Sequence, residues 1–177
     1  AEAVQASGRH LLGVINDILD FSKIESGQLE LEAVDFSLIE VVEDALAMFV
    51  QPAESKGLEL AAQFVPPDAL LALRGDPLRL RQVLANLIGN AIKFTDKGEV
   101  LIGMHLIDEV DDEYRVRFTV EDTGIGIARE HHDKIFEPFF QAEGGGTTRK
   151  YGGTGLGMTI ARDVVKLMGG ELRLASE

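Results

Sequence analysis

Asp76-Pro-Leu-Arg-Leu-Arg-Gln-Val-Leu-Ala-Asn-Leu-Ile-Gly-Asn-Ala-Ile-Lys-Phe-Thr95 reads as one helix around which the rest of the chain is organised. Asp76 offers a side-chain acceptor at the start, and Pro77 follows with φ already set for a first helical turn. Leu80, Val83, Leu84, Leu87, Ile88 and Ala91 recur at helical spacing and form one apolar face. A second stripe, Gln82, Asn86, Asn90 and Lys93, runs beside it on the same period. Asparagine is a poor mid-helix residue, because its amide competes with the backbone. Two of them one turn apart, followed by a lysine, have the character of a placed polar cluster. Amide oxygens can coordinate Mg²⁺ and an ammonium can meet phosphate. A plain amphipathic helix with a solvated polar edge accounts for the same pattern.

The 177 residues suffice for one core domain plus an extra element. With 45% hydrophobic and 27% charged residues the chain is globular in composition, and with no cysteine it can form neither disulfides nor thiolate metal sites. A net charge of −13 argues against a general nucleic-acid or anionic-membrane surface. No apolar run approaches membrane-spanning length and no signal peptide is visible, so a cytoplasmic fragment is expected, compatible with a longer, membrane-anchored protein.

Residues 1–32 read as a long helix, with Leu11, Ile15, Ile18, Ser22 and Glu25 along a seam that calls for a partner helix, self-association being the simplest. Asp35 and Ser37 open a second helix, carrying Leu38, Val41, Val42, Ala45, Leu46 and Phe49 on its buried stripe and stopping near Gln51-Pro52 or Gly57. Leu58–Phe64 and Leu70–Arg74 are expected strands. Glu99–Ile107 and Tyr114–Glu121 alternate like the arms of an antiparallel pair joined through an acidic loop. A short helix is expected over Ala128–Ile135, a last helix from Thr154 or Gly155 to Met168, and a strand over Glu171–Ala175. The sum is an α+β chain: a two-layer α/β sandwich, its mixed sheet covered on one face by three helices, preceded by a long N-terminal helix.

Asp122 stands where a strand runs out, with Gly124 and Gly126 after it. A carboxylate there can accept from an exocyclic amine such as that of adenine, and glycines let a flat ring approach the backbone; Asp-Thr-Gly is equally ordinary turn chemistry. Gly152-Gly-Thr-Gly-Leu-Gly157 opens the last helix, where backbone N–H groups and the positive end of the helix dipole suit a phosphate. It is neither a Walker loop nor a dinucleotide fingerprint. Arg149 and Lys150 precede it in a glycine-rich stretch, either as phosphate contacts or as solvated charges. His131 and His132 show no ligand spacing, and Phe136, Phe139 and Phe140 read as packing for the base of the loop.

The ordered series Asn-xxx-Asn-xx-Lys-Phe, Asp-x-Gly-x-Gly, Phe-Glu-Pro-Phe and Gly-Gly-Thr-Gly-Leu-Gly strongly resembles the ATP-binding domain of sensor histidine kinases. His10-Leu-Leu-Gly-Val-Ile-Asn-Asp-Ile-Leu-Asp-Phe-Ser-Lys-Ile-Glu25 is similar to the second helix of that family's dimerisation and phosphoacceptor hairpin, as in its hybrid kinases. The resemblance implies a division into residues 1–33, that partial hairpin, and residues 36–177, the catalytic domain, in the sandwich shared with gyrase-type, chaperone and mismatch-repair ATPases. It implies ATP and Mg²⁺ as cofactors. Asn90 would ligate Mg²⁺, Asn86 would assist at the metal or phosphates, and Lys93 would contact phosphate. Asp122 would bind the adenine amine, with Gly124 and Gly126 lining the base pocket. Lys150, Gly153, Thr154, Gly155, Leu156 and Gly157 would supply the phosphate-facing end of a lid.

Two departures matter. Hydrolysing relatives carry a glutamate one turn before the metal-binding asparagine; here Asn86 holds that position and cannot serve as a general base. The family's acceptor histidine lies in the first hairpin helix before an acidic residue, whereas His10 precedes Leu11, and His132, although followed by Asp133, lies in the wrong domain. The implied fragment therefore holds Mg-ATP for transfer to a histidine on a helix outside this chain. The implied partners are that acceptor helix, a response-regulator receiver domain and a second copy through residues 1–33, with no nucleic acid. A hydrolysing gyrase- or chaperone-type ATPase and a nucleotide-stabilised docking module are the alternatives.

Overall fold

The structure, a computed structural model, describes residues 2–66, 72–110, 113–141 and 153–176. Its elements in chain order are α1 (Glu2–Glu25), β1 (Val34–Ser37), α2 (Leu38–Ala47), α3 (Val50–Lys56), β2 (Glu59–Val65), β3 (Ala72–Gly75), α4 (Pro77–Phe94), β4 (Glu99–Val110), β5 (Glu113–Asp122) and α5 (Gly157–Leu167). They fall into two compact units, Glu32–Gly126 and the combination of Ala1–Leu31 with Ile127–Glu177.

In the first of these, α4 forms as its sequence dictates. Asp76 is the N-cap, its Oδ1 accepting from the Arg79 N–H at 2.9 Å, and Pro77 fills the first turn. Asp76 Oδ2 accepts from the Glu32 N–H at 3.0 Å, so a carboxylate only 4% exposed also secures the chain leading into β1. The apolar face buries Leu80, Val83, Leu84, Ile88, Ala91 and Ile92. Leu84 and Ile88 meet Leu38, Val41, Val42 and Ala45 of α2 and Val100, Ile102 and Met104 of β4 in one core. Each large aliphatic side chain removed from water there contributes about 1.5–3 kcal/mol.

The sheet has order β2-β4-β5. β2 runs parallel to β4, with Glu59 opposite Glu99, and β5 returns antiparallel, with Val100 opposite Asp122. The expected antiparallel pair and mixed sheet both form, and helices α2 and α4 pack on it through the shared core. A register shift between Leu106 and Asp108 lets β4 run past its expected end. β1 and β3 form a separate two-stranded antiparallel ribbon, with Val34 opposite Gly75. The segment expected to open the second helix is thus a strand as far as Ser37, whose hydroxyl then caps α2.

That second helix is also interrupted. α2 ends at Ala47 and α3 restarts at Val50. Pro52 explains the break, since it has no N–H to offer the Met48 carbonyl and its ring crowds that position. Gly57, at φ 69°, ends α3.

In the other unit α1 stops at Glu25, short of the expected Glu32. Gly27 turns left-handed at φ 66°, the Gln28 N–H bonds the Lys23 carbonyl and the Gly27 N–H bonds that of Ile24, the paired bonds of a Schellman ending. The helix expected over Ala128–Ile135 is two separate 3₁₀ turns, Arg129–His131 and Lys134–Phe136. Pro138 forbids continuation and holds Glu137 extended at ψ 141°. α5 begins later than expected because Gly155 is left-handed, at φ 71°. It lies against α1. The expected strand at Glu171–Ala175 is irregular chain; the Ile127 N–H is met by the Ser176 hydroxyl at 2.8 Å.

Asp76→Ala removes two backbone anchors at once. Its unfolding free energy in urea is expected to fall by roughly 1–3 kcal/mol; a loss below about 0.5 kcal/mol would place it among ordinary surface changes and contradict this account.

Candidate functional site

Asn86, Asn90 and Lys93 lie along one stripe of α4, all half-buried, beside the fully apolar stripe formed by Leu84, Ile88, Ala91 and Ile92. Gln82, which begins the polar stripe, accepts from the Arg79 guanidinium at 2.7 Å. The Lys93 ammonium lies 4.7 Å from the centre of the Phe94 ring. Burial lowers its pKa, because a desolvated ammonium loses water that nothing fully replaces. An anion brought to it would restore that lost stabilisation.

Asp122 ends β5 and remains exposed. Its Oδ1 accepts from the Gly124 N–H at 2.8 Å, closing an Asx turn, and from the Thr95 hydroxyl at 3.4 Å. The Ile125 N–H donates to the Phe94 carbonyl at 3.3 Å. The Asp122 turn is thus bonded to Phe94 and Thr95, one turn beyond Asn90. Gly124 is required by that approach: a Cβ would stand 2.6 Å from the Phe94 carbonyl oxygen and 2.7 Å from Asp122 Oδ1. Gly126 follows at φ 66°. Asn86, Asn90, Lys93, Asp122, Gly124 and Gly126 therefore belong to one unit, with the carboxylate tied to the end of the asparagine-bearing helix.

That helix end is completed by Lys56, the last residue of α3. Its ammonium donates to the carbonyls of Ile92 at 2.7 Å, Lys93 at 3.0 Å and Thr95 at 3.1 Å. Sequence reasoning missed Lys56 and Thr95. Lys56 was legible only as the basic residue before a helix-ending glycine, and Thr95 only as the last residue of the α4 pattern.

Gly153, Thr154, Gly155, Leu156 and Gly157 lie in the other unit. The Gly153 carbonyl accepts from the Gln141 amide at 2.8 Å. The Thr154 hydroxyl accepts from the Leu156 N–H at 3.2 Å and donates to Asp17 of α1 at 3.0 Å. Gly155 accepts from the Phe139 N–H at 3.0 Å, and its Cβ position would lie 2.8 Å from the Phe139 carbonyl carbon. Phe139 itself is left-handed at φ 63°, which is uncommon for a bulky residue, and is 63% exposed, with Phe21 edge-on at 6.0 Å. Arg149 and Lys150 lie outside the described residues. His132 bonds the Ile127 carbonyl through Nε2 at 2.8 Å. Among the described residues no three His, Cys, Asp or Glu side chains group as a metal site, and no helix is long and apolar enough to cross a membrane.

A family model for histidine kinase-, DNA gyrase B-, and HSP90-like ATPases matches residues 75–177, and the chain belongs to that family. It is 43% identical over 173 residues to the sensor protein GacS of Pseudomonas syringae pv. syringae, covering 98% of this chain and 19% of that protein. It is 45% identical over 177 residues to hybrid signal transduction histidine kinase L of Dictyostelium discoideum, covering 99% of this chain and 10% of that one. The chain thus spans less than a fifth of the length of either relative. The crystal structure of full-length ShkA in complex with AMPPNP is similar at a TM-score of 0.78 and 34% identity, over 95% of this chain and 33% of that one.

Burial raises the Asp17 pKa, the Thr154 hydrogen bond opposes this, and the nearby Asp20 charge adds to it. A carboxyl whose folded pKa exceeds its unfolded value disfavours the fold once ionised, so that cost appears as pH rises through the unfolded range near 4 toward the raised value. Asp17→Asn keeps an acceptor for Thr154 without the charge. Its melting temperature is expected to match that of the parent chain below about pH 4 and to exceed it at pH 7. A lower value at pH 7 would reverse the assigned sign.

Proposed function

We propose that this chain is the ATP-binding catalytic part of a two-component sensor histidine kinase, holding Mg-ATP for transfer to a histidine on a helix outside it. The bonding of Asp122 through Thr95 to the end of the helix bearing Asn86, Asn90 and Lys93 carries the reading. Family membership and the histidine kinase names of similar proteins support it.

The residues suit the group. Gly124 lets the Asp122 turn close against the Phe94 carbonyl, 2.6 Å from where a Cβ would stand, and so keeps the carboxylate at the end of α4. Asp122 would accept from the adenine amine, with Gly126 beside it. Lys93 is a partly desolvated cation suited to a phosphate. Mg²⁺ would take amide and phosphate oxygens, with Asn90 as its protein ligand and Asn86 assisting. Gly153, Thr154, Gly155, Leu156 and Gly157 would face phosphate from the start of α5, and Lys150 would add charge there.

ATP supplies the γ-phosphoryl group when bound. The chain's own work is placement and charge neutralisation, which dominate phosphoryl transfer. Asn86 cannot take a proton from water, so hydrolysis has no general base at that position. The acceptor helix, a response-regulator receiver domain and a second copy through residues 1–33 are the proposed partners, and the cytoplasm is the proposed compartment.

Calorimetric titration with ATP tests the site. Asn90→Ala is expected to abolish the magnesium-dependent part of binding. Asp122→Asn is expected to weaken ATP at least roughly tenfold, the value of one hydrogen bond to a charged group, with an unchanged circular dichroism spectrum. Unaltered affinities in both would remove the assignment. Phosphotransfer from labelled ATP to a separately supplied acceptor helix tests the reaction, and release of phosphate at the same rate without that helix would favour a hydrolase instead.

A further inference from the structure

We propose that Lys56 is a positioning residue for the nucleotide, acting through Thr95 on the carboxylate that selects adenine. The inference rests on the reading of Asp122 given above and extends it to residues that no motif contains.

An α-helix ends with four carbonyls lacking partners within the helix. In α4 these belong to Ala91, Ile92, Lys93 and Phe94. Ala91 accepts from the Thr95 N–H, Phe94 from the Ile125 N–H, and both Ile92 and Lys93 from the Lys56 ammonium. The third ammonium proton goes one residue further, to the Thr95 carbonyl. An ammonium has three donors and no acceptor, so Lys56 is fully committed to this one helix end.

Thr95 is the link to the ligand side. It is completely buried, its N–H and carbonyl are both bonded, and its hydroxyl is left to reach Asp122 Oδ1. That 3.4 Å contact is long, so it depends on the backbone of Thr95 being held in place. The backbone around Lys56 is itself anchored. Ala53 and Leu58 on either side are buried, and the Leu58 and Gly57 N–H groups bond back to Ala53 and Glu54. The path from Lys56 to Thr95 to Asp122 lies within a single compact unit.

A cap that served stability alone would lower the affinity of every nucleotide alike, or none. A positioning residue changes the discrimination made by Asp122. The test compares ATP with purine riboside triphosphate, which lacks only the 6-amino group, by calorimetry on the folded chain with magnesium. Lys56→Met is expected to weaken ATP by roughly three- to tenfold, the worth of one misplaced hydrogen bond, while leaving the deaminated analogue unchanged. Lys56→Arg, which keeps the charge and several donors, is expected to retain most of the preference. Thr95→Val removes only the last link and is expected to reproduce the Lys56→Met ratio; it decides the matter if Lys56→Met fails to fold. Asp122→Asn is the control. If it leaves the preference intact, the adenine reading falls and this inference with it. If Asp122→Asn abolishes the preference while Lys56→Met and Thr95→Val preserve it, the inference alone is overturned.

Discussion

The C-terminal turn of α4 is where the unit Glu32–Gly126 is held together. A helix end inside a protein presents several carbonyls that water cannot reach, and each must find a donor or cost free energy. Here the donors come from three places in the sequence: the turn after β5, the residue capping α4 itself, and a lysine on α3. The result is more than a closed helix. The same bonds bring the end of β5 beside the end of α4, and so tie the Asp122 carboxylate to the end of the helix that carries Asn86, Asn90 and Lys93. Removing any one donor would disturb both the helix and the carboxylate.

Much of this was legible in the chain. The α4 pattern, its N-cap and its polar stripe were read correctly because helical period, capping chemistry and an unusual pair of asparagines point the same way. The alternation in β4 and β5 was equally plain. Other features were not visible, for reasons of physics. Val34–Ser37 is a strand because β3 pairs with it, and no local signal announces a partner so far along the chain. The stop near Pro52 was legible, but not that the helix would break before it and restart at Val50, nor that two 3₁₀ turns would replace the short helix expected over Ala128–Ile135. Glu171–Ala175 has the composition of a strand, but strand formation needs a neighbour.

Of the candidate site, the residue types were legible and their connections were not. Asn86, Asn90, Lys93 and Asp122 became candidates through the order of the motifs that hold them, each pattern alone having a plain structural account. Lys56 and Thr95 did not, since their importance lies wholly in what they touch. Asp17 is a similar case: a polar residue on an amphipathic helix gave no sign that it would meet Thr154. The close fit of Gly155 against the left-handed Phe139 was likewise hidden, because a glycine-rich stretch looks permissive in sequence whatever its neighbours demand.

Because β2 and β4 lie side by side and point the same way, the chain cannot turn tightly from one to the other; it must leave the sheet and come back. The returning segment contains β3 and then α4. The helix carrying the asparagines is therefore part of the crossover itself, not an appendage to a finished sheet. Adding the parallel edge strand and laying that helix across the sheet are one topological event, and a chain that completed the first without the second would have no route between its strands.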